Sequence, residues 1–216
     1  ITVTVAGMAP DIVVGTPDGE TIVGGATNDI LTGGAGADTL IGNGGNDVLL
    51  FDGADTLSGG TGSDLASVST TPPGLGVTMA FTNAMSIETV LGGTGDDVFD
   101  ASAMTLSIEL RGGLGADTLT GGSAGDILRG GIDGDVDTLN GGGGNDTLLF
   151  STGDILTGGA GNDNAIAEDD GGVTLTLAAG HGIETVLGGA GGDMLDASAS
   201  TTRVVLDGRG GIDTIH

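Results

Sequence analysis

The sequence contains no cysteine, tryptophan, tyrosine or lysine, and only four phenylalanines. Without cysteine there can be no disulfide framework, no thiolate metal site and no cysteine nucleophile. This absence fits an extracellular protein. Because aromatic residues make up 2% of the chain, the usual platforms for stacking bases or sugar rings are also missing.

Positive charge is scarce. The four basic residues are all arginine and face 30 acidic residues, which gives a net charge of −26. Such a chain repels nucleic acids and anionic lipids, so we expect no nucleic-acid partner and a strong need for cations. No run of about eighteen apolar residues occurs, so we expect no membrane insertion.

Glycine is abundant instead, with 48 glycines among 216 residues, against roughly 7% in average proteins. High glycine and high charge together could indicate disorder, but the glycines are periodic. The stretch "GGAGADTLI" (33–41) lies between "GGATNDILT" (24–32) and "GNGGNDVLL" (42–50). Each copy has Asp in the sixth place and a large apolar residue in the eighth, and this regularity decides against disorder.

The sixth-place Asp recurs along the whole chain, and we take its copies as the candidate metal ligands. They are Asp29, Asp38, Asp47, Asp55, Asp64, Asp97, Asp117, Asp126, Asp137, Asp146, Asp154, Asp163, Asp193 and Asp213. The residue two places later is large and apolar except after Asp64 and Asp163, where it is Ala66 and Ala165. A weaker copy, "GTPDGETIV" (15–23), has Glu20 in the key place.

A longer repeat overlies the nonapeptides. The steps between successive Asp residues are 8, 9, 33 and 20 from Asp47, and 8, 9, 30 and 20 from Asp146. The words "LLF", "IETVLGG" and "DASA" occur in both parts. We therefore predict one elongated domain over 1–216 with an internal duplication, approximately 42–120 and 141–216. Because the first residue is not Met and the last copy is cut short, we expect a piece of a longer protein or a mature product.

Each nonapeptide divides into a six-residue glycine-rich loop and a three-residue strand. Side chains alternate along a strand, so the one large apolar residue of each copy points inward. Two copies make a coil of about eighteen residues, and stacked coils align their strands into two parallel sheets. The sequence thus predicts an all-β fold, a solenoid with no helix, since glycine and β-branched residues disfavour helices.

Four stretches depart from the period, and we expect wider, irregular coils near 68–91, 101–111, 164–187 and 197–207. Longer strands are predicted there. The stretches "GVTMAFT" (76–82), "TLSIEL" (105–110) and "GVTLTLA" (172–178) alternate along the strand, and "RVVL" (203–206) is the second copy of "TLSIEL". Leu106, Ile108 and Leu110 should point inward in the second of these.

The pattern Gly-Gly-x-Gly-x-Asp-x-(large apolar)-x resembles the calcium-binding nonapeptides of the RTX (repeats-in-toxin, haemolysin-type) proteins. Good matches are "GGAGADTLI" (33–41), "GGLGADTLT" (112–120), "GGGGNDTLL" (141–149), "GGTGSDLAS" (59–67) and "GGTGDDVFD" (92–100). The resemblance implies a right-handed parallel β-roll with several calcium ions held between loops stacked on the same side. The loops whose backbone carbonyls would join the Asp ligands start at Gly24, Gly33, Gly42, Gly59, Gly92, Gly112, Gly121, Gly130, Gly141, Gly158, Gly188 and Gly208.

Calcium takes six to eight hard oxygens, so one Asp per loop is too few and two stacked loops are needed. Loops on the same side should be about eighteen residues apart. The predicted carboxylate pairs are Asp29 with Asp47, Asp38 with Asp55, Asp47 with Asp64, Asp126 with Asp146, Asp137 with Asp154, and Asp146 with Asp163. The alternative is that each Asp only hydrogen-bonds its own turn. Stacked carboxylates about 4.8 Å apart would repel, however, which favours cations.

No other motif is convincing. "DGDVD" (133–137) begins like an EF-hand loop, but its sixth and twelfth places hold Thr138 and Gly144, so we read it as a widened repeat with extra acids. We expect His181 and His216 at the surface. Because the repeat accounts for nearly every Asp, we predict that the chain is not an enzyme.

The resemblance implies a calcium-dependent structural and folding module of a secreted bacterial protein, exported by a type I route and folded by calcium outside the cell. Two alternatives stay open. The roll could assemble with copies of itself as a surface-layer, fibre or adhesin segment, since solenoid ends carry open sheet edges. It could also be a non-catalytic accessory region of a secreted enzyme.

Overall fold

The chain folds into a solenoid of parallel β-strands in the computed structural model, which describes residues 1–4, 9–69 and 73–216. About eleven turns of about nineteen residues follow one another with almost no helix. The all-β parallel solenoid predicted from the repeat is therefore confirmed.

Two strands are contributed by each turn, and they are numbered here in chain order. The strands of the first half are β1 (Thr2–Thr4), β2 (Ile12–Val14), β3 (Thr21–Val23), β4 (Ile30–Thr32), β5 (Thr39–Gly44), β6 (Val48–Phe51), β7 (Thr56–Thr61), β8 (Leu65–Val68), β9 (Thr78–Ala80), β10 (Thr89–Leu91), β11 (Val98–Asp100) and β12 (Glu109–Arg111). The strands of the second half are β13 (Thr118–Thr120), β14 (Ile127–Arg129), β15 (Thr138–Gly143), β16 (Thr147–Phe150), β17 (Ile155–Ala160), β18 (Asn164–Ala167), β19 (Thr174–Thr176), β20 (Thr185–Leu187), β21 (Met194–Asp196), β22 (Val205–Asp207) and β23 (Thr214–Ile215).

The two faces of the solenoid differ in continuity. The even-numbered strands β2 to β22 form one sheet of eleven strands. The odd-numbered strands form three sheets, β1 to β7, β9 to β17 and β19 to β23. The interruptions fall between β7 and β9 and between β17 and β19, within two of the predicted irregular stretches.

The core is a stack of equivalent side chains. Leu40 lies beside Leu57 in the register of β5 and β7, and Leu128 lies beside Leu148 in that of β14 and β16. The eighth-place residues are all buried from Leu31 to Leu195, with the largest exposure, 6%, at Leu156. Ala66 and Ala165, which break the pattern of large residues, are also completely buried. Each coil buries its apolar side chain against the coils on either side, so stability comes from stacking.

Two expectations about local structure were wrong. The irregular stretches contain three-residue strands, β9, β12, β19 and β22, and not longer ones. Their additional residues lie in turns and in one 3₁₀ helix, η1 (Asn83–Met85). Leu106 is 59% exposed, while Ile108 and Leu110 are buried as expected. Part of the first irregular stretch, 70–72, lies outside the described residues.

The predicted division into a six-residue loop and a three-residue strand does not hold everywhere, because four strands extend into the following loop. Strands β5, β7, β15 and β17 are six residues long, since the second and third loop residues pair with those of the next coil. Asn43 lies opposite Gly60 in this way, and Gly142 lies opposite Gly159.

The element order of 39–120 recurs later in the chain. Strand β5 starts at Thr39 and β15 at Thr138, and the four-residue strands β6 and β8 correspond to β16 and β18. This correspondence agrees with an internal duplication, which remains a prediction.

Candidate metal sites

An acidic residue stands immediately before most strands. Within 9–69 and 73–216 this residue is Asp or Glu before every strand except β9, β12, β19 and β22, where it is Val77, Ile108, Val173 and Val204. Each acid directly precedes a strand, two residues before the inward-facing apolar residue. Because the strands stack coil on coil, these acids line two rows along the solenoid. We call the acids before odd-numbered strands row A and those before even-numbered strands row B.

Most acids of the two rows are buried despite their charge, while Asp11, Glu88 and Glu184 are half-buried. Asp47, Asp117 and Asp146 are 1%, 1% and 0% exposed. Asp213, in the last copy, is half-buried. A charged group out of water is expensive unless it is paired or bound to a cation, so the rows need a source of compensation.

One source is a ladder of hydrogen bonds along each row. In most rungs the backbone N–H of one acid donates to a carboxylate oxygen, Oδ1, of the Asp one coil later. The N–H of Asp29 reaches Asp47 at 2.8 Å, that of Asp38 reaches Asp55 at 2.9 Å, and that of Asp146 reaches Asp163 at 2.8 Å. The other three predicted pairs stack in the same manner, Asp47 with Asp64, Asp126 with Asp146, and Asp137 with Asp154. The structure therefore brings all six predicted pairs together, while a shared ion within each pair stays a prediction.

Further rungs join acids that were not paired from the sequence. They are Asp97 with Asp117, Asp117 with Asp137, Asp193 with Asp213, and Glu20 with Asp38. Each row is broken where an apolar residue takes the place of the acid. Val77, Ile108 and Val173 still donate their N–H groups to the next Asp but bring no carboxylate.

The second carboxylate oxygen, Oδ2, separates the loops into two kinds. In the first kind, which we call open, Oδ2 is buried and has no hydrogen-bond partner among the described residues. The Asp residues of the open loops are Asp38, Asp47, Asp64, Asp117, Asp137, Asp146 and Asp163.

The backbone of the second loop residue accounts for the open state. It has a positive φ in each open loop, at Gly34, Asn43, Gly60, Gly113, Gly131, Gly142 and Gly159. Glycine adopts this conformation at little cost. The N–H of this residue is then directed elsewhere, as when Gly113 donates to the Gly130 carbonyl of the next coil at 3.0 Å. Loop 208–213 has the same backbone, with Arg209 at φ 63°.

In the second kind of loop, which we call closed, the N–H of the second residue donates to Oδ2 of the loop's own Asp. These bonds are Gly25 to Asp29 at 2.6 Å, Gly93 to Asp97 at 2.8 Å, Gly122 to Asp126 at 2.6 Å and Gly189 to Asp193 at 2.8 Å. In these four loops the Asp hydrogen-bonds its own turn, as the alternative to metal binding predicted. In the two shortened copies Oδ2 also has a hydrogen-bond partner. The backbone N–H of Asp52 donates to Asp55 Oδ2, and that of Ser151 donates to Asp154 Oδ2.

Open and closed loops follow a simple order. Among the described residues, the first glycine-rich loop after each break in a row is closed and the later ones are open. The degenerate first copy in row A behaves as a closed loop, because the N–H of Thr16 donates to Glu20 at 3.0 Å. The open loops thus stack on a preceding glycine-rich loop, which the closed ones lack.

Burial raises the pKa of most of these carboxylates. The shift is largest at Asp117, where burial and the neighbouring charges of Asp137, Asp97 and Asp133 raise the pKa to about 8. Burial likewise raises the pKa of Asp137 and Asp146 to about 6. At neutral pH Asp117 therefore holds a proton unless a cation stabilises its charge. Asp137 and Asp146 take up a proton more readily than ordinary carboxylates, and a bound cation would favour their charged form in the same way.

The donor set fits calcium. Among residues 1–4, 9–69 and 73–216 no three His, Cys, Asp or Glu side chains come together as a metal cluster, so the carboxylates are available as pairs. Backbone carbonyls stand beside the free oxygens: a Cβ on Gly42 would meet both Asp47 Oδ2 and the Gly59 carbonyl oxygen. Hard carboxylate and carbonyl oxygens suit calcium, whereas magnesium keeps its waters and rarely uses all-protein cages.

Three acids with Asp-like positions were missed from the sequence. Asp11 precedes β2, and its N–H donates to Asp29 Oδ1 at 2.9 Å. Glu88 and Glu184 precede β10 and β20 and accept the N–H groups of Asp64 and Asp163. No glycine-rich loop precedes them, so the nonapeptide pattern does not find them. The signal that could have done so is their place in the repeated word "IETVLGG".

The two histidines and the extra acids of 133–137 were the remaining candidates from the sequence. His181 is buried, 3% exposed, and not at the surface. Its Nδ1 accepts the Ile183 N–H at 2.7 Å, and burial lowers its pKa. His216 is exposed as expected. The extra acid Asp133 accepts the N–H groups of Gly115 and Asp135, so it serves a loop at the exposed surface.

Rows of paired, buried carboxylates between stacked glycine-rich loops define the class, a cation-binding parallel β-solenoid. The family model of the RTX calcium-binding nonapeptide repeat (4 copies) matches residues 14–49, 51–66, 86–103, 109–136, 134–154 and 150–170, more than half of the chain. The chain belongs to this family, as its nonapeptides indicated, and its repeats are calcium-binding repeats. No individual curated protein is similar enough to count as a match.

Repeats of this family are characteristic of secreted bacterial proteins. Among the described residues no helix is both long enough and apolar enough to cross a membrane.

Proposed function

We propose that the chain is a calcium-dependent structural module of a secreted bacterial RTX protein, and that calcium binding drives its folding outside the cell. The observation that carries this proposal is the set of open loops. Each holds a buried carboxylate oxygen without a partner among the described residues, beside a second acid and backbone carbonyls. A calcium ion supplies the charge and the coordination that these oxygens lack.

Folding should depend on calcium because the sites exist only in the stacked state. A ligand that binds the folded chain and not the unfolded chain stabilises the folded one by mass action. Without calcium the two rows bring like charges together, which opposes stacking. At calcium concentrations of about 10⁻⁴ to 10⁻³ M, the range of extracellular modules, the ions would hold the coils together. A type I export route and a place outside the cell or at its surface follow from the family resemblance and form part of the proposal.

The candidate ligands are not equivalent in this proposal. The strongest are the Asp residues of the open loops with the acid of the following coil. The closed-loop residues Asp29, Asp97, Asp126 and Asp193 have their Oδ2 hydrogen-bonded within the loop. They would contribute through their stacking partners or bind only after the loop changes conformation.

The module is proposed to be non-catalytic, because the buried acids are held in the repeat and serve its loops. The roll as a self-assembling segment and the roll as an accessory to an enzyme remain predictions. Nothing in the described residues favours either over the module, so calcium-dependent folding is the function to test first.

The test is circular dichroism of the chain during a calcium titration that starts in excess chelator. We expect a cooperative gain of β signal with calcium and little gain with the same concentration of magnesium. The magnesium titration is the control for general screening of the −26 charge. A chain that is equally rich in β structure in chelator and in calcium would contradict the proposal.

A further inference from the structure

We propose that Glu88 and Glu184 are calcium ligands and that they complete two sites outside the nonapeptide pattern, with Asp64 and Asp163 respectively. This inference rests on the proposed function, since it names further sites for the same ion. Both sites lie in row B, at the coil that follows the last glycine-rich loop of a segment.

The first site is built from loop 59–64 and the coil that contains η1. The N–H of Asp64 donates to Glu88 Oε2 at 2.8 Å, which is the rung that joins Asp residues elsewhere in the row. Asp64 is 2% exposed, and its Oδ2 has no partner among the described residues. A Cβ on Gly59 would collide with this same Oδ2 and with the carbonyl oxygen of Ser86. The unpartnered carboxylate oxygen of Asp64 and the Ser86 carbonyl oxygen therefore lie close to the same point, and the carboxylate of Glu88 is bonded to the Asp64 N–H beside them.

The second site repeats this arrangement in the other half of the chain. The N–H of Asp163 donates to Glu184 Oε2 at 2.7 Å. Asp163 is completely buried, with its Oδ2 unpartnered among the residues that the structure describes. A Cβ on Gly158 would collide with the Gly182 carbonyl oxygen and would lie 2.7 Å from Asp163 Oδ2. The arrangement is the same in both halves of the chain, which argues against a chance contact.

The proposed Glu88 site closely resembles a site between two nonapeptide loops. Between loops 42–47 and 59–64, the space at Gly42 faces Asp47 Oδ2 and the Gly59 carbonyl, and Asp64 supplies the second carboxylate. At the next coil the Ser86 carbonyl replaces that of Gly59, and Glu88 replaces Asp64. Ser86 has a positive φ of 50°, and its counterpart Gly182 has a φ of 66°. A short non-glycine-rich turn thus delivers the same kinds of oxygen to the same place.

A purely structural role for Glu88 and Glu184 would need only a neutral acceptor. Glutamine could accept the Asp64 or Asp163 N–H equally well. A second carboxylate beside a buried one is unfavourable unless a cation joins them, because like charges at short range repel. The acid at both positions therefore points to a bound cation.

The experiment counts the calcium ions bound to the 216-residue chain and to the variants E88Q, E184Q and E88Q/E184Q. Equilibrium dialysis against saturating calcium, followed by metal analysis, gives the number of ions per chain. We expect each single variant to bind one ion fewer than the unaltered chain and the double variant to bind two fewer. The control is E109Q, because Glu109 pairs with Arg111 at 2.7 Å outside the rows, and it should bind the full number.

Full ion counts in E88Q and in E184Q would overturn the inference. If the unaltered chain itself binds no calcium, the proposed function fails, which is a separate outcome of the same measurement. A crystal structure of the unaltered chain grown in calcium gives the answer without any variant. An ion within about 2.3–2.6 Å of Glu88 and Asp64 oxygens supports the assignment, and ions in the nonapeptide loops with none beside Glu88 and Glu184 refute it.

Discussion

Loops 59–64 and 92–97 have almost the same sequence and different structures. They read "GGTGSD" and "GGTGDD", yet the first is open and the second is closed. Gly60 has a φ of 111° and leaves Asp64 Oδ2 without a partner. In the other loop, the N–H of Gly93 donates to Asp97 Oδ2 at 2.8 Å.

The two loops differ in what lies beneath them. Loop 59–64 stacks on the glycine-rich loop 42–47, and Gly60 pairs with Asn43 in the extended part of β7 and β5. Loop 92–97 stacks on the irregular segment 74–76, where a Cβ on Gly95 would lie 2.5 Å from both the Leu75 carbonyl carbon and the Gly76 nitrogen. The state of a loop, and with it the availability of a carboxylate oxygen, is therefore set by the preceding coil.

The largest effect should come from adding a methyl group at the second position of the open loop 59–64, and the same change in the closed loop 92–97 should have a much smaller effect. G60A forces alanine into a positive φ, which costs about 1–2 kcal/mol, and its Cβ would also collide with the Asn43 carbonyl. We expect a loss of at least about 2 kcal/mol in the free energy of unfolding. The matched control is G93A, whose Cβ would meet only the Val68 side chain, at 3.3 Å, and it should change stability by less than about 1 kcal/mol. Chemical unfolding in saturating calcium measures both, and equal losses would mean that the loops do not differ as described.

Neutralising the Asp of each loop should separate them by calcium affinity. Because changes even around a metal ligand lower affinity about 10–100-fold, D64N should weaken calcium binding at least about tenfold and reduce the number of bound ions. D97N should keep the number of ions, since its Oδ2 is already used by Gly93. Calorimetric titration of both variants gives these values. A larger loss for D97N than for D64N would reverse the assignment of open and closed sites.

The pH dependence of the calcium-free chain should reveal the protons held by open loops. Burial raises the pKa of Asp117 to about 8 and that of Asp146 to about 6, from an ordinary value of 3.8. The folded state then binds more protons than the unfolded state between pH 3.8 and 8, so its stability rises as the pH falls through this window.

We therefore expect the β signal in chelator to grow between pH 8 and pH 4. The calcium concentration needed to occupy the sites of the folded chain should increase over the same range, because protons compete with calcium for the carboxylates. Circular dichroism at fixed chelator concentration follows the first effect. D117N should weaken the dependence between pH 8 and 6. A calcium-free chain that loses β structure on acidification would contradict the direction of these shifts.

The smallest effect is expected from making the two loop sequences identical. S63D converts "GGTGSD" into "GGTGDD", and Ser63 is exposed, with its N–H donating to Asn46 at 3.0 Å. If the preceding coil decides the state, loop 59–64 stays open, and stability should change by no more than about 0.5 kcal/mol. The number of bound calcium ions should stay the same in dialysis. Loss of one ion in S63D would show that the fifth residue, and not the neighbouring coil, closes the loop.

Much of the architecture could be read from the repeat. The period places one apolar residue and one acid in every half-coil, and the spacing of two copies gives the stacked partner, as for Asp38 with Asp55. The irregular coils were harder, because alternation of apolar residues over 105–110 suggested a longer strand, while Leu106 is exposed. Glu88 and Glu184 were missed since they take the place of the sixth-place Asp in the row without its glycine-rich loop.

The sequence by itself determined the coil, the core and the two rows of acids, because these follow from short-range periodicity and from the need to bury one apolar residue per strand. Only the tertiary structure decided which Asp oxygens are free, where the rows break, and which acids outside the pattern join them. The physical reason is that the direction of a loop N–H depends on the coil beneath it. That coil lies many residues away in the chain, so loops of nearly identical sequence can end in opposite states.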